Sequence, residues 1–103
     1  MNKITHLHSR ISWAKLQGVE LTSRQKKILD FMAWANKALT DREIKRGMGF
    51  EDMNQVRPRI TELVKANALI QNGVVMDKAT KRPVRRVMIN PQLTETEQRD
   101  LFL

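Results

Sequence analysis

The chain contains no cysteine and no tyrosine, and only four glycines and three prolines among its 103 residues. Without cysteine there is no disulfide framework, no thiolate nucleophile and no thiolate metal site. The glycines form no phosphate-cradling loop. The two histidines, His6 and His8, are spaced to fall on different faces of a helix. They have no carboxylate or cysteine nearby to complete a metal site, and neither shows a base-and-orienter arrangement. The acidic residues are scattered, which leaves no carboxylate cluster for metal-assisted phosphodiester chemistry. These absences argue against an enzyme and imply no cofactor and no metal. Long hydrophobic runs are missing too. The start, MNKITHLHSR, lacks the apolar stretch of a signal peptide, and no segment could span a membrane. The expectation is a soluble, cytoplasmic protein.

What the chain does have is positive charge. It carries 19 Lys and Arg against 11 Asp and Glu, a net +8 with a pI near 10.5. All but one of the basic residues precede residue 91, so the charge belongs to the body and not to the tail. An excess of this size points to a polyanionic partner, most often nucleic acid. A chain of this length holds one domain with one modest core.

The hydrophobic spacing divides the chain into elements. Residues 4–17 place Ile4, Leu7, Ile11 and Ala14 at helical spacing, with Gly18 as a stop. This predicts a short N-terminal helix, within residues 1–19, packed on the domain or on a second subunit. Thr22 opens a second helix through a capping box with Gln25. Ile28, Leu29, Phe31, Met32 and Ala35 form its apolar stripe, and Trp34 at the margin reads as a core-edge aromatic. KAL at 37–39 offers one short strand. Thr40 and Glu43 form another capping box, with Leu39 and Ile44 placed as a hydrophobic staple. RGMGF then reads as a turn that inserts Met48 and Phe50 into the core.

The stretch around which the rest is organised is NQVRPRITELVKAN, residues 54–67. Val56, Ile60, Leu63 and Val64 share one side of a helix. The other side carries Asn54, Gln55, Pro58, Thr61 and Lys65, flanked by Arg57 and Arg59. Such a donor-rich face can read base edges and hold phosphates. Pro58 is tolerable only near the helix start, expected at about Asn54. From Ala68, LIQNGVVMD reads as a strand bent at Asn72-Gly73, KATKR as a loop and VRRVMIN as a second strand. Between Lys78 and Arg86 there are five basic residues and no acid, a run suited to gripping a DNA backbone.

Helix, strand, helix, tight turn, helix and hairpin is the order of a winged helix-turn-helix. The chain over roughly residues 8–90 resembles the small winged-helix proteins common in phages and other mobile elements. T-D-R-E-I at Thr40–Ile44 and N-x-V-R-P-R-I-T-E-L at Asn54–Leu63 carry the resemblance. It departs in the wing, where Ala79-Thr80-Lys81 replaces a threonine-glycine turn. The resemblance implies a mostly α domain with a small β-hairpin over 20–90, and a bacterial host cell. It implies that helix 54–67 enters the major groove of double-stranded DNA. Asn54, Gln55 and Thr61 are then base readers, and Arg57, Arg59 and Lys65 contact phosphate or guanine. Lys78, Lys81, Arg82 and Arg85 lie in the wing 74–89. Arg59 has a second reading, an i,i+3 pair with Glu62 that merely orders the helix.

The tail, residues 91–103, is net acidic, and Thr94 with Glu97 offers a further capping box. Gln98-Arg99-Asp100-Leu101-Phe102 is similar to the Q-x-D-L-F peptides that dock on the bacterial sliding clamp. Gln98 would fill a polar subsite, and Leu101 and Phe102 an apolar cleft. Two functions remain open: a DNA-binding regulator or replication accessory, and an adaptor that captures a host protein through its tail. A homodimer is compatible with either, since the first helix and the tail both offer apolar surface.

Overall fold

The computed structural model describes residues 9–11 and 20–96. Their elements begin with strand β1 (Ser9–Ile11), helix α1 (Ser23–Ala35), strand β2 (Leu39–Thr40) and helix α2 (Asp41–Met48). A 3-10 turn (Met53–Gln55) leads into helix α3 (Arg57–Lys65), followed by strands β3 (Leu69–Met76) and β4 (Pro83–Ile89). A second 3-10 turn (Pro91–Leu93) precedes strand β5 (Thr94–Thr96).

Local chemistry sets the helix starts. Thr22 Oγ1 accepts from Gln25 N at 3.1 Å while Gln25 Oε1 accepts from Thr22 N at 2.8 Å. Thr40 and Glu43 form the same reciprocal pair at 3.1 and 2.9 Å. Each box satisfies two amide donors that a helix N-terminus leaves without partners. Left-handed residues end both helices, Asn36 at φ 54° and Gly49 at φ 78°. Gly47 is not part of that turn but lies within α2. A Cβ at Gly47 would stand 2.5 Å from Phe31 Cζ, so the missing side chain is what lets α1 and α2 approach.

The third helix starts later than its sequence periodicity suggests. Pro58 is the second residue of α3, where a missing N–H forfeits no intrahelical bond. The preceding turn has its own capping box: Asp52 Oδ1 accepts from Asn54 N at 2.9 Å, and Gln55 Oε1 accepts from Asp52 N at 3.3 Å. Asn54 and Gln55 therefore lie on a 3-10 turn ahead of the helix, not on its outer face. The proline ring would crowd the Asn54 carbonyl in a continuous helix, and the break at Val56 removes that conflict.

The main sheet is antiparallel with strand order β2-β4-β3. Leu39 faces Val87 and Thr40 faces Arg86 across β2 and β4. The β3–β4 register runs from Leu69↔Ile89 to Met76↔Pro83 and shifts between Gln71 and Val74. There two residues, Asn72 and Gly73, oppose Arg86, and Gly73 sits at φ 84°, the bulge that its position suggested. A bulge also twists the free edge of β3 away from further pairing. The hairpin strands, eight and seven residues long, match α2 and α3 in size, so the domain mixes helix and sheet instead of being mostly α.

Helices and sheet enclose one core. Ile28, Leu29 and Met32 of α1, Ile44 of α2, Ile60 and Leu63 of α3, Leu69 of β3 and Val87 of β4 are fully buried in it, with Val56. Met48 and Phe50 pack against it half-buried. Trp34, expected at the core edge, is instead 64% exposed, with its ring centroid 6.0 Å from that of Phe31. Leu93, beyond the expected domain end at residue 90, is buried as well.

A two-stranded sheet, β1 with β5, lies beside α1. Ser9 pairs with Thr96, Arg10 with Glu95 and Ile11 with Thr94. This corrects two expectations. Residues 9–11 are strand, where the apolar spacing predicted helix. Thr94–Thr96 is also strand, so no helix starts at a Thr94–Glu97 capping box. Extended pairing satisfies the backbone of both segments through each other, which no helical periodicity in either one reveals. The remainder of the expected N-terminal helix lies outside the described residues.

Candidate functional site

Side-chain alternation along β4 decides the geometry of the site. Val87 and Ile89 are buried in the core, and Arg85, two residues before Val87, points the same way. A guanidinium on the core-facing side of a strand needs an anion. Arg85 Nε and Nη2 donate to Asp41 Oδ1 and Oδ2 at 3.2 and 3.0 Å, and Nη2 also donates to Thr61 Oγ1 at 3.0 Å. Asp41 is the first residue of α2 and is 7% exposed. A carboxylate there is also favoured by the helix dipole. Arg57, the first residue of α3, brings Nε to 3.5 Å from Asp41 Oδ2. One carboxylate thus ties α2, α3 and β4 together.

These residues line a groove of about 720 Å³ between the front ends of α2 and α3 and the hairpin turn. Arg42, Arg57, Arg82 and Arg85 face it with Asp41 and Asp77, four guanidinium groups against two carboxylates. Asp77 opens the turn. Its carboxylate accepts from Thr80 Oγ1 at 2.8 Å and lies 3.5 Å from Arg42 Nη2. The Thr80 hydroxyl, the backbone N–H groups of Ala79 and Thr80 and the Arg42 charge hold this carboxyl below the usual range, against a smaller opposing effect of burial. Backbone bonds from Asp77 N to Arg82 O and from Lys81 N to Asp77 O, both 2.8 Å, close the turn. Lys81 takes the left-handed conformation, φ 60°, at the place where a glycine would be at ease. The turn is thus built without the threonine-glycine pair.

The basic run from Lys78 to Arg86 separates into three directions. Lys78, Lys81 and Arg82 are exposed in the turn, and the Arg82 side chain has no ion pair or hydrogen bond among the described residues. Arg85 faces the helices. Arg86 lies on the opposite side of β4, where its Nε donates to Asn72 O at 3.3 Å.

The expected contact residues on the third helix separate in the same way. Asn54, Arg57 and Lys65 are exposed. Gln55 is half-buried with its carbonyl oxygen engaged by Asp52. Thr61 accepts from Arg85 and lines the groove. Arg59 takes its second reading: its Nη2 donates to Glu62 Oε2 at 2.8 Å. Glu62 Oε1 in turn accepts from Gln25 Nε2 of α1 at 2.7 Å. Arg59 Nε is buried without a hydrogen-bond partner among the described residues, and Glu62 links this guanidinium to Gln25 of α1. Gln98, Leu101 and Phe102 lie outside the described residues.

Asp41, Arg42 and Asp77 complete the site, and sequence periodicity does not single them out. The one signal was Arg85 on the apolar parity of β4, which demands a buried carboxylate. Among the described residues, no group of three or more His, Cys, Asp or Glu could hold a metal, and no helix is long and apolar enough to cross a membrane. No protein-family model, no curated protein and no solved structure matches the chain.

Proposed function

We propose that this chain is a double-stranded DNA-binding protein built as a winged helix-turn-helix, a regulator or an accessory of replication or recombination. The observation that carries the reading is the convergence of arginines from α2, α3 and the hairpin turn on one groove. Two further features support it. The short strand β2 pairs with the second hairpin strand, giving the order β2-β4-β3, so the strand before α2 and the hairpin form one sheet. The chain's excess of cations is concentrated before residue 91. In this reading the exposed end of α3 enters the major groove and the turn Asp77–Arg82 follows the backbone. Asn54 and Lys65 reach bases, whereas Gln55, Arg59, Thr61 and Arg85, already engaged within the domain, orient the surface.

Selection from a pool of random duplex DNA is expected to enrich a motif at near-physiological salt. Affinity for the enriched duplex should fall about a hundredfold between 50 and 200 mM salt, the loss that roughly four phosphate contacts produce. Binding without enrichment and without salt dependence would sink this reading.

A second function, capture of a host sliding clamp by residues 98–103, is favoured by one observation. Thr94–Thr96 is extended and paired with β1, so the chain approaches the tail as strand, the form such docking peptides take. Deleting residues 98–103 should abolish clamp capture while the thermal unfolding midpoint stays within about 2 °C. Capture that survives the deletion removes this second role.

A further inference from the structure

We infer that the groove is a phosphate seat in which Arg42, Arg57 and Arg82 close on one phosphodiester, above a fixed floor of Arg85, Asp41 and Thr61. The inference rests on the DNA-binding reading for its ligand and, of the two contacts expected for Arg57, phosphate or guanine, takes phosphate.

The three arginines differ from Arg85 in how they are held. Arg85 occupies both oxygens of Asp41 with a two-pronged fork. Asp41 therefore has little left to offer Arg57, which stands 3.5 Å away with its side chain 59% exposed. Asp77 is likewise engaged by the Thr80 hydroxyl at 2.8 Å, and Arg42 approaches it only to 3.5 Å. Neither pair reaches the spacing of a charge-assisted hydrogen bond, about 2.7–2.9 Å. Arg82 has no anion among the described residues.

Three guanidinium groups are thus gathered at one groove with their charge incompletely compensated. A phosphodiester entering it would offer unshared oxygens to forks whose present pairings stand at 3.5 Å. Guanidinium geometry suits phosphate, and a planar fork gives up little freedom on binding. The two carboxylates keep Arg42 and Arg57 at the groove in the free protein, and the phosphate takes over these looser pairs. Because a phosphate carries no sequence information, this seat acts on every duplex alike.

The test uses the full chain with Arg42→Gln, Arg57→Gln and Arg82→Gln, singly and together, and Lys27→Gln on α1 as a charge control. At 100 mM salt each single change should weaken duplex binding about three- to tenfold, and the triple change should flatten the log affinity–log salt slope by about 0.9. The loss should be equal on enriched and random duplexes, and the control should bind nearly as the parent does. In parallel, inorganic phosphate is titrated while the three Nε–Hε signals are followed by NMR. Duplex binding that survives the triple change with its slope intact overturns the seat and leaves the DNA-binding reading standing. A loss confined to the enriched duplex also overturns it, since that marks base contact. A parent that binds no duplex, but whose three Nε–Hε signals shift with phosphate, supports the seat and removes DNA as its ligand. No duplex binding and no shift overturns both.

Discussion

Shortening Ile60 to alanine is expected to lower the unfolding free energy by about 3 to 4 kcal/mol, within the range for truncating a fully buried isoleucine. Ile60 is completely buried, as are Leu63 on the same helix and Ile28 and Leu29 on α1. The loss combines the transfer free energy of the removed methyl groups with the cavity they leave. A domain of this size typically has about 5 to 10 kcal/mol of stability in all, so one substitution removes a large share. In urea the midpoint should move while the slope stays constant. A change below about 1 kcal/mol would mean that α3 is not anchored through this side chain. Ile60 makes no part of the exposed surface, so DNA affinity per folded molecule should be unchanged at low temperature.

The second large effect is at Asp41. Asp41→Ala should destabilise the domain by about 2 to 3 kcal/mol, somewhat less than a fully buried pair because the Arg85 side chain is 25% exposed. Removing the carboxylate strands Arg85 on the core side of β4 and frees Arg57 at the start of α3. Arg57→Gln, by contrast, should change stability by less than about 1 kcal/mol, since its pairing is long and largely exposed. A double-mutant cycle between Asp41 and Arg85→Met separates the pair from the stranded charge. A coupling near zero would show that the fork does not hold β4 to the helices. Duplex binding by Asp41→Ala is informative as well. Because Asp41 is part of the floor that fixes the groove, binding by the folded fraction should weaken although the seat gains positive charge.

The two experiments probe different layers of the same design. Ile60 holds α3 to the core without regard to function. Asp41 sets the spacing between α3, α2 and the hairpin, and so decides how wide the groove stands. Gln25 contributes a third tie of intermediate kind, since it caps α1 with its carbonyl oxygen and reaches Glu62 with its amide nitrogen.

Much of the fold is legible in the sequence because its causes lie within a few residues. The capping boxes at Thr22 and Thr40 join groups three positions apart, and the bond from Asp52 N to Gln55 Oε1 spans the same interval. The apolar periods of α1 and α3, the stop at Gly49 and the bulge at Gly73 are local as well. Pro58 marks a helix start by its own covalent structure, although the 3-10 turn places that start at Arg57 and not at Asn54. The excess charge is a matter of counting.

Where periodicity misled, the deciding partner was distant. Ile11 sits at helical spacing with Ile4 and Leu7, but the strand at Ser9–Ile11 is defined by Thr94–Thr96 at the far end of the chain. Gly47 reads locally as part of a turn, but it lies within α2 with the Phe31 ring of α1 against it. The basic run from Lys78 to Arg86 reads as one patch, yet pleating sends Arg85 and Arg86 to opposite sides of the sheet.

By itself, then, the sequence determined where α1 and α2 begin, which residues are apolar enough to form a core, and that the chain is strongly cationic. These follow from short-range hydrogen bonding, helical spacing and composition. Only the tertiary structure decided which cations remain available. Arg85 and Asp41 are 44 positions apart, and nothing in either neighbourhood announces the other. An ion pair forms where folding happens to bring two charges out of water together, and that follows from the packing of the elements, not from the order of residues within any one of them.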